Sequence, residues 1–299
     1  MKSRRNRKNL KHQSGHPGRG KPEVSSGQRR RARIADEAAG STQNAAAIPA
    51  AGVRLNRWLA ERGIGSRRKC DTMIQECAVE VNGSIMVEPG YRVKEGDRVA
   101  VEGRPVKEVR RLYYLFYKPK GVLCTDDPRE TRTRVCDLVD PMVSNRVYSV
   151  GRLDEDSEGL LLLTNDGDFA NLVMHPRYQV PKTYVVVING SIRGEEIDTL
   201  RNGTWLSDGK VTPERIKLIR RTKSTSSLEV QLGEGRNREI RRIFAAFGYS
   251  VKSLKRVRIG KLGMKGLKRG AIRPLTRQER DDMTSLALDQ VSGEQAESN

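Results

Sequence analysis

The sequence predicts an α+β protein of two folded units. The first is small, with two helices and short strands; the second is larger, on a mixed, largely antiparallel sheet. Three observations carry this reading. With 299 residues the chain is long enough to bury more than one core. Between residues 53 and 104, two short runs of helical periodicity precede strand-like pairs with turn signals. From residue 112 onward strand follows strand with few intervening helices, which argues against the regular alternation of a parallel α/β sheet.

Composition narrows the function classes. Lys+Arg number 57 against 37 Asp+Glu, a net charge of +20. Such a surplus suits a polyanionic partner, most simply nucleic acid. It is unevenly placed: residues 1–50 hold 12 Lys/Arg and 3 Asp/Glu, whereas residues 51–104 hold 10 and 8. Cys70, Cys77, Cys124 and Cys136 have no CxxC spacing, and His12 and His16 lie in the basic N-terminal stretch, leaving His175 alone beyond it. No zinc site or other metal is expected, nor a disulfide framework; free thiols in a reducing cytoplasm are. No apolar run spans a membrane, and the basic N-terminus lacks the apolar core of a signal peptide.

Taken in order, residues 1–52 are rich in Arg, Lys, Gly and Ser and read as a disordered basic arm. In residues 53–104, Leu55, Trp58 and Leu59 share one helical face, and Ser66 is a good N-cap for a second helix. Cys70, Met73, Ile74 and Cys77 then form an i, i+3, i+4, i+7 stripe that predicts a buried face. "VEVNG" reads as a strand with an Asn-Gly turn, and "YRVKEGDRVAVEG" as two more short strands. Arg67, Arg68 and Lys69 crowd the first turn of the second helix, where the helix dipole disfavours cations. That arrangement makes sense if a phosphate docks there. Residues 105–111 read as a linker, residues 112–284 as the larger unit, and residues 285–299 as an acidic disordered tail.

Within the larger unit, "SVGRLDEDSEGLLLLTNDGDF" places Asp154, Glu155, Asp156, Glu158, Asp166 and Asp168 in a chain that is otherwise basic. The spacing Asp154, Asp156, Glu158 imitates the opening of a calcium loop, but Asn165 stands where the bidentate Glu belongs and the flanks read as strands. Glu155, Asp156 and Glu158 read as turn surface, Asp166 as part of a turn, and Asp168 as a cap for a helix through Phe169. Asp154 differs, because it directly follows an apolar strand that would hold it in place at a strand end.

These stretches resemble known families. Residues 53–104 are similar to the S4 RNA-binding domain, with its basic residues at the second helix. "VGRLDEDSEGLLLLTNDGDF" resembles the catalytic motif of the ribosomal pseudouridine synthases, RsuA/RluB branch, and with "KPKG" before it and "KTY" and "GRNREIRR" after it the segments come in the family order. The resemblance implies that Asp154 is catalytic, that Tyr184 stacks on the target uracil and assists proton removal from C5, and that Arg241 pairs with Asp154 while Ile240 packs beside it. It implies that Arg152 helps hold the nucleotide out of its stack, and that Lys118, Lys120, Arg236 and Arg238, with Arg54, Arg67, Arg68 and Lys69 of the S4 unit, contact RNA. It leaves open whether the Asp acts at C1′ or on the base.

The implied reaction converts uridine in ribosomal RNA to pseudouridine without cofactor or metal. "GRNREIRR" is closer to the large-subunit enzymes than to the small-subunit type. The expected partner is therefore large-subunit rRNA, free or in a pre-ribosomal particle, and the expected state a cytoplasmic monomer. Two rival classes stand beside this one: a non-catalytic ribosome-assembly factor, and a glycoside hydrolase, which needs paired carboxylates and fits the basic charge poorly.

Overall fold

The structure is a computed structural model that describes residues 51–88 and 90–297, with side chains through Gln290. Residues 1–50 of the expected basic arm lie outside the described residues. The first unit opens with β1 (Val53–Arg54), α1 (Leu55–Glu61) and α2 (Arg67–Gln75). It continues through β2 (Val79–Val81), β3 (Ser84–Ile85), β4 (Arg92–Val93), β5 (Val99–Val101) and β6 (Arg104–Pro105). Leu55, Trp58, Leu59, Cys70 and Ile74 pack into one apolar cluster with Val79, Val81, Val93 and Val99. Ser66 caps α2, its hydroxyl accepting from the Lys69 amide at 3.2 Å. The predicted stripe stops short: α2 ends at Gln75, and Cys77 is exposed with φ 61°, because the chain reverses there into β2.

The second unit is built on a nine-stranded sheet. Its members are β7 (Tyr113–Lys118), β8 (Tyr148–Val150), β9 (Glu158–Thr164), β10 (Lys182–Asn189), β13 (Arg215–Arg221), β14 (Thr225–Leu232), β15 (Val251–Ile259), β16 (Leu262–Gly263) and β17 (Ile272–Pro274). A hairpin of β11 (Thr204–Leu206) and β12 (Gly209–Val211) lies apart from it. The order is β13-β14-β10-β15-β9-β7-β17, with β8 and β16 attached to β9 and β15. The β9–β15 pair is parallel and the other pairs antiparallel, as the sequence predicts. "EGLLLLT" forms β9, buried along its whole length, because it is covered on both faces. The helices are α3 (Val135–Val139), α4 (Gly167–Met174), α5 (Gly194–Arg201), α6 (Glu239–Ala246) and α7 (Arg277–Glu297).

One expectation at the C-terminus is corrected. The chain from residue 285 is not a tail but continues α7 to Glu297, and Ala287 is fully buried with Met283 against the cluster that holds Phe169 and Ile259. A short apolar stripe on an otherwise polar helix is enough to dock it, and the acidic composition masks that stripe.

The two units meet at α4. Arg57 on α1 bonds Glu61 at 2.7 Å and Asp168 at 2.5 Å, and Arg146 donates to the Gly65 carbonyl at 3.3 Å. Asp166, rather than the expected Asp168, caps α4, accepting from the amides of Asp168 (3.0 Å) and Phe169 (3.2 Å). Its other oxygen accepts from Tyr113 at 2.6 Å and Arg111 at 2.8 Å, so the linker residue Arg111 is tied to the sheet. Asp166→Ala is expected to destabilise the protein by about 3 kcal/mol, because a cap and a buried carboxylate's partners are lost together. Asp168→Ala removes only an exposed pair and is expected to cost less than about 1 kcal/mol. Urea denaturation of the two variants checks the contrast.

Candidate active site

The sheet splits at one point, and the candidate site lies there. β9 pairs with β7 along one edge; on its other edge β8 occupies Leu162–Thr164 and β15 occupies Glu158–Gly159. Residues 151–157, which connect β8 to β9, cross between the departing strands. Leu153 is buried in the core beneath, its amide donating to the Cys124 sulfur at 3.5 Å. The Ser157 amide donates to the Asp154 carbonyl at 3.1 Å and closes a turn that presents the Asp154 carboxylate. The side chain is 28% exposed, so the group is partly shielded yet reachable.

Two guanidinium groups bracket that carboxylate. Arg241 Nε and Arg238 Nη1 both lie 3.7 Å from Asp154 Oδ2, within charge attraction but without a direct hydrogen bond. The expected pairing with Arg241 is present, and it is shared: Arg241 Nη2 sits 2.7 Å from Asp156 Oδ2 and donates to Ser157 Oγ at 3.5 Å, while Nη1 donates to the Val251 carbonyl at 3.2 Å. Asp156 is thus a counter-ion for Arg241 and not only turn surface. Arg238 holds φ at 47°, left-handed backbone that a non-glycine residue adopts at some cost. It immediately precedes α6, and that backbone turn carries its side chain toward Asp154. Glu158, expected at the surface, is 7% exposed and pairs with Arg269 at 2.9 Å, because β9 starts at this residue.

Asp154 opens onto a cavity of about 570 Å³ that is also lined by Arg152, Tyr184, Arg236, Arg238 and Ile240. Tyr184 comes from β10 and Ile240 from α6, 8% and 4% exposed. Residues more than 80 positions apart in the chain are therefore gathered in one concave site that combines apolar walls with many charged side chains. Arg152 is exposed at its rim. The Arg236 guanidinium binds Glu234 at 3.0 Å and the Asp208 carbonyl at 3.0 Å, so it fastens the β11–β12 hairpin to the site as well as lining it.

Lys118 is a correction. Grouped by sequence with RNA-contacting cations, it is fully buried. Its ammonium donates to the carbonyls of Ser157 (2.8 Å), Pro119 (3.0 Å) and Glu155 (3.5 Å), and burial lowers its pKa. It clamps the turn that carries Asp154 from beneath, whereas Lys120, two residues on, is exposed. Lys118→Met leaves those carbonyls without their donor. It is expected to cost about 3 kcal/mol of stability and to slow single-turnover catalysis with RNA affinity unchanged. Lys120→Met is expected to do the reverse, weakening RNA binding with little effect on stability; melting curves and filter binding decide.

The S4-unit cations stand elsewhere. Arg54 and Arg67 line a second cleft of about 470 Å³ between the two units, with Arg57, Arg62, Arg92 and Arg111. Arg68 and Lys69 are exposed on the same helix start. Four charged residues on the wall of the first cavity escape sequence reading: Lys182, Glu234, Glu239 and Arg256. Lys182 opens the "KTY" motif and Glu239 lies in "GRNREIRR", so both motifs flag the neighbourhood, but nothing in the spacing shows that these side chains share a cavity.

Known proteins resemble this chain in sequence and fold. The family model described as RNA pseudouridylate synthase matches residues 112–246, and that described as S4 domain matches residues 53–99. The chain is 40% identical over 236 residues to "Ribosomal large subunit pseudouridine synthase B" of Bacillus subtilis, covering 78% of this chain and 96% of that protein. It is 38% identical over 232 residues to an uncharacterised RNA pseudouridine synthase of Aquifex aeolicus, covering 76% and 92%. A solved structure titled "Crystal structure of pseudouridylate synthase" is 26% identical with a TM-score of 0.57, covering 78% of this chain and 100% of that one.

Proposed function

We propose that this chain, which belongs to the RNA pseudouridine synthase family, isomerises a uridine of large-subunit ribosomal RNA to pseudouridine, with Asp154 as the catalytic residue. The observation that carries the site is a carboxylate held in the turn between β8 and β9, with two guanidiniums 3.7 Å from it, opening onto a cavity that a buried tyrosine of β10 also lines. Support for the large subunit is the name of the Bacillus subtilis relative, nearly the whole of which aligns with this chain.

The reaction is an isomerisation. The N1–C1′ bond of uridine breaks, the base turns, and a C5–C1′ bond forms; the proton on C5 leaves and N1 gains one. No oxidant, reductant or second substrate enters the balance. Asp154 meets the electron-poor sugar carbon, Arg241 and Arg238 hold the carboxylate in place, and Tyr184 stacks on the base and guides the C5 proton away. Ile240 packs against the ring's surroundings. The target must leave its helix first, at a cost of a few kcal/mol, and Arg152 at the rim occupies the space it vacates. Lys120 and the cleft lined by Arg54 and Arg67 supply phosphate contacts at a distance, as do Arg68 and Lys69. The same proposal makes the protein a cytoplasmic monomer acting on free rRNA or a pre-ribosomal particle.

The test uses ribosomal RNA from a strain lacking the gene. After incubation with the protein, carbodiimide treatment and reverse transcription map pseudouridine as new stops. A single new stop in the large-subunit RNA is expected. Binding without any new stop supports the assembly-factor reading and sinks the enzymatic one; a stop confined to small-subunit RNA reassigns the substrate.

A further inference from the structure

We propose that Lys182 and Arg256 form a cationic donor pair that holds the negative charge of the uracil base as it leaves the sugar, and are therefore further catalytic residues. This rests on the reaction proposed above.

The geometry is that of a built pair. Arg256 on β15 lies directly opposite Tyr184 on β10 in the antiparallel ladder, so the two side chains share a face of the sheet. Lys182 precedes Tyr184 by two residues on β10 and points to that face as well. All three line the cavity into which Asp154 opens. Arg256 is 5% exposed; its Nε donates to the Leu160 carbonyl at 2.7 Å, and its Nη2 is buried with no hydrogen-bond partner. Lys182 Nζ donates to the Gly233 carbonyl at 3.3 Å.

A buried guanidinium with a spare donor beside a half-buried ammonium is an unfavourable ground state. Burial first, and then the charge of Arg256, push the Lys182 ammonium down to about 8. Glu214, Glu239 and Glu234 face it too and act in the opposite sense without cancelling the shift. An arrangement of this kind favours an anion that appears only during reaction, which is how preorganised donors lower a barrier.

The reaction makes such an anion. When the N1–C1′ bond breaks, its electron pair leaves with the base and spreads over N1, O2 and O4. The charge persists on the oxygens while the base turns, and disappears when C5 bonds to C1′, the C5 proton departs and N1 is protonated. Donors on the cavity wall can follow the oxygens through that rotation, whereas Asp154 faces the sugar.

The test compares large-subunit rRNA transcribed with uridine triphosphate or with its 5-fluoro analogue. Disappearance of the N-linked nucleoside is followed under single-turnover conditions. Fluorine makes the base a better leaving anion, so it needs less help. Lys182→Met and Arg256→Met are expected to lose about 100-fold on uridine but only about 10-fold on 5-fluorouridine. Equal losses on the two transcripts overturn the proposal, because a structural defect does not distinguish leaving groups. The wild-type rate is also expected to fall above pH 8, as Lys182 gives up its proton. Lys182→Arg, which stays charged, moves that alkaline fall upward by about one pH unit or more; an unmoved limb overturns the proposal. If the Met variants fail to fold, the Arg variant decides alone. A wild-type protein inactive on both transcripts is a failure of the proposed function, and is told apart by that result.

Discussion

Asp154→Asn is expected to remove pseudouridine formation, slowing the single-turnover rate by on the order of 10⁴-fold while RNA affinity stays within about threefold. The substitution keeps the size of the side chain and removes its charge. The turn beneath survives, because the Asp154 contribution to it is a backbone carbonyl that accepts from Ser157, and because Lys118 clamps the Glu155 and Ser157 carbonyls from below. What is lost is the negative group between Arg238 and Arg241, each 3.7 Å away. Asp156→Asn is the informative companion. Asp156 has the shorter contact to Arg241, 2.7 Å, yet it is 56% exposed and does not line the cavity. Its loss is expected to slow the reaction no more than about tenfold, through a less firmly held Arg241. A larger loss at Asp156 than at Asp154 moves the catalytic assignment to Asp156.

Gly159→Ala is expected to be the most damaging single methyl in the described chain, costing about 4 kcal/mol or more, or yielding insoluble protein. Gly159 has φ 116°, and an added Cβ would lie 2.2 Å from the Arg256 carbonyl oxygen and 2.7 Å from its amide nitrogen. Both are backbone atoms of the one parallel pair in the sheet, so no side chain can swing aside. Nor can β9 retreat, since β7 holds its other edge from Gly159 to Thr164. The same junction sets Arg256 into the cavity wall and starts β9 just after the Asp154 turn, so stability and activity fall together. Gly121→Ala provides the control. It also has positive φ, 75°, but open space around the added methyl, and is expected to cost only about 1–2 kcal/mol. Guanidinium denaturation of the two variants separates close approach from backbone strain.

How far the site is legible in sequence can be judged residue by residue. Asp154, Tyr184 and Ile240 stand out because each lies in a short motif, and the structure brings them to one cavity. The helix start at Ser66 and the Asn-Gly turn are equally legible, because caps and turns depend on neighbours a few residues away. Charged residues are less legible. Lys118 reads as a surface cation and is a buried clamp; Glu158 reads as turn surface and is a buried strand residue; Arg238 reads as an RNA contact and reaches the Asp154 carboxylate. Asp166 rather than Asp168 caps α4, a choice that rests on two residues of register. For Lys118, Glu158 and Arg238 the side chain's partner comes from a distant part of the chain, and a charge pattern carries no information about that partner.

The sequence by itself determined the α+β class, the two units and their order, the strand-end position of Asp154 and the basic character of the whole. These follow from local periodicity, turn chemistry and composition. Only the tertiary structure decided which cations surround Asp154 and which line the cavity beside it. It also decided that residues 285–297 continue as helix, with Ala287 in the core. The physical reason lies in the sheet. β9 shares one edge between β8 and β15, and that split brings Asp154 beside α6 and turns Lys182 and Arg256 into the same cavity. Strand pairing across roughly a hundred residues is a property of the assembled sheet, and no window of the sequence contains it.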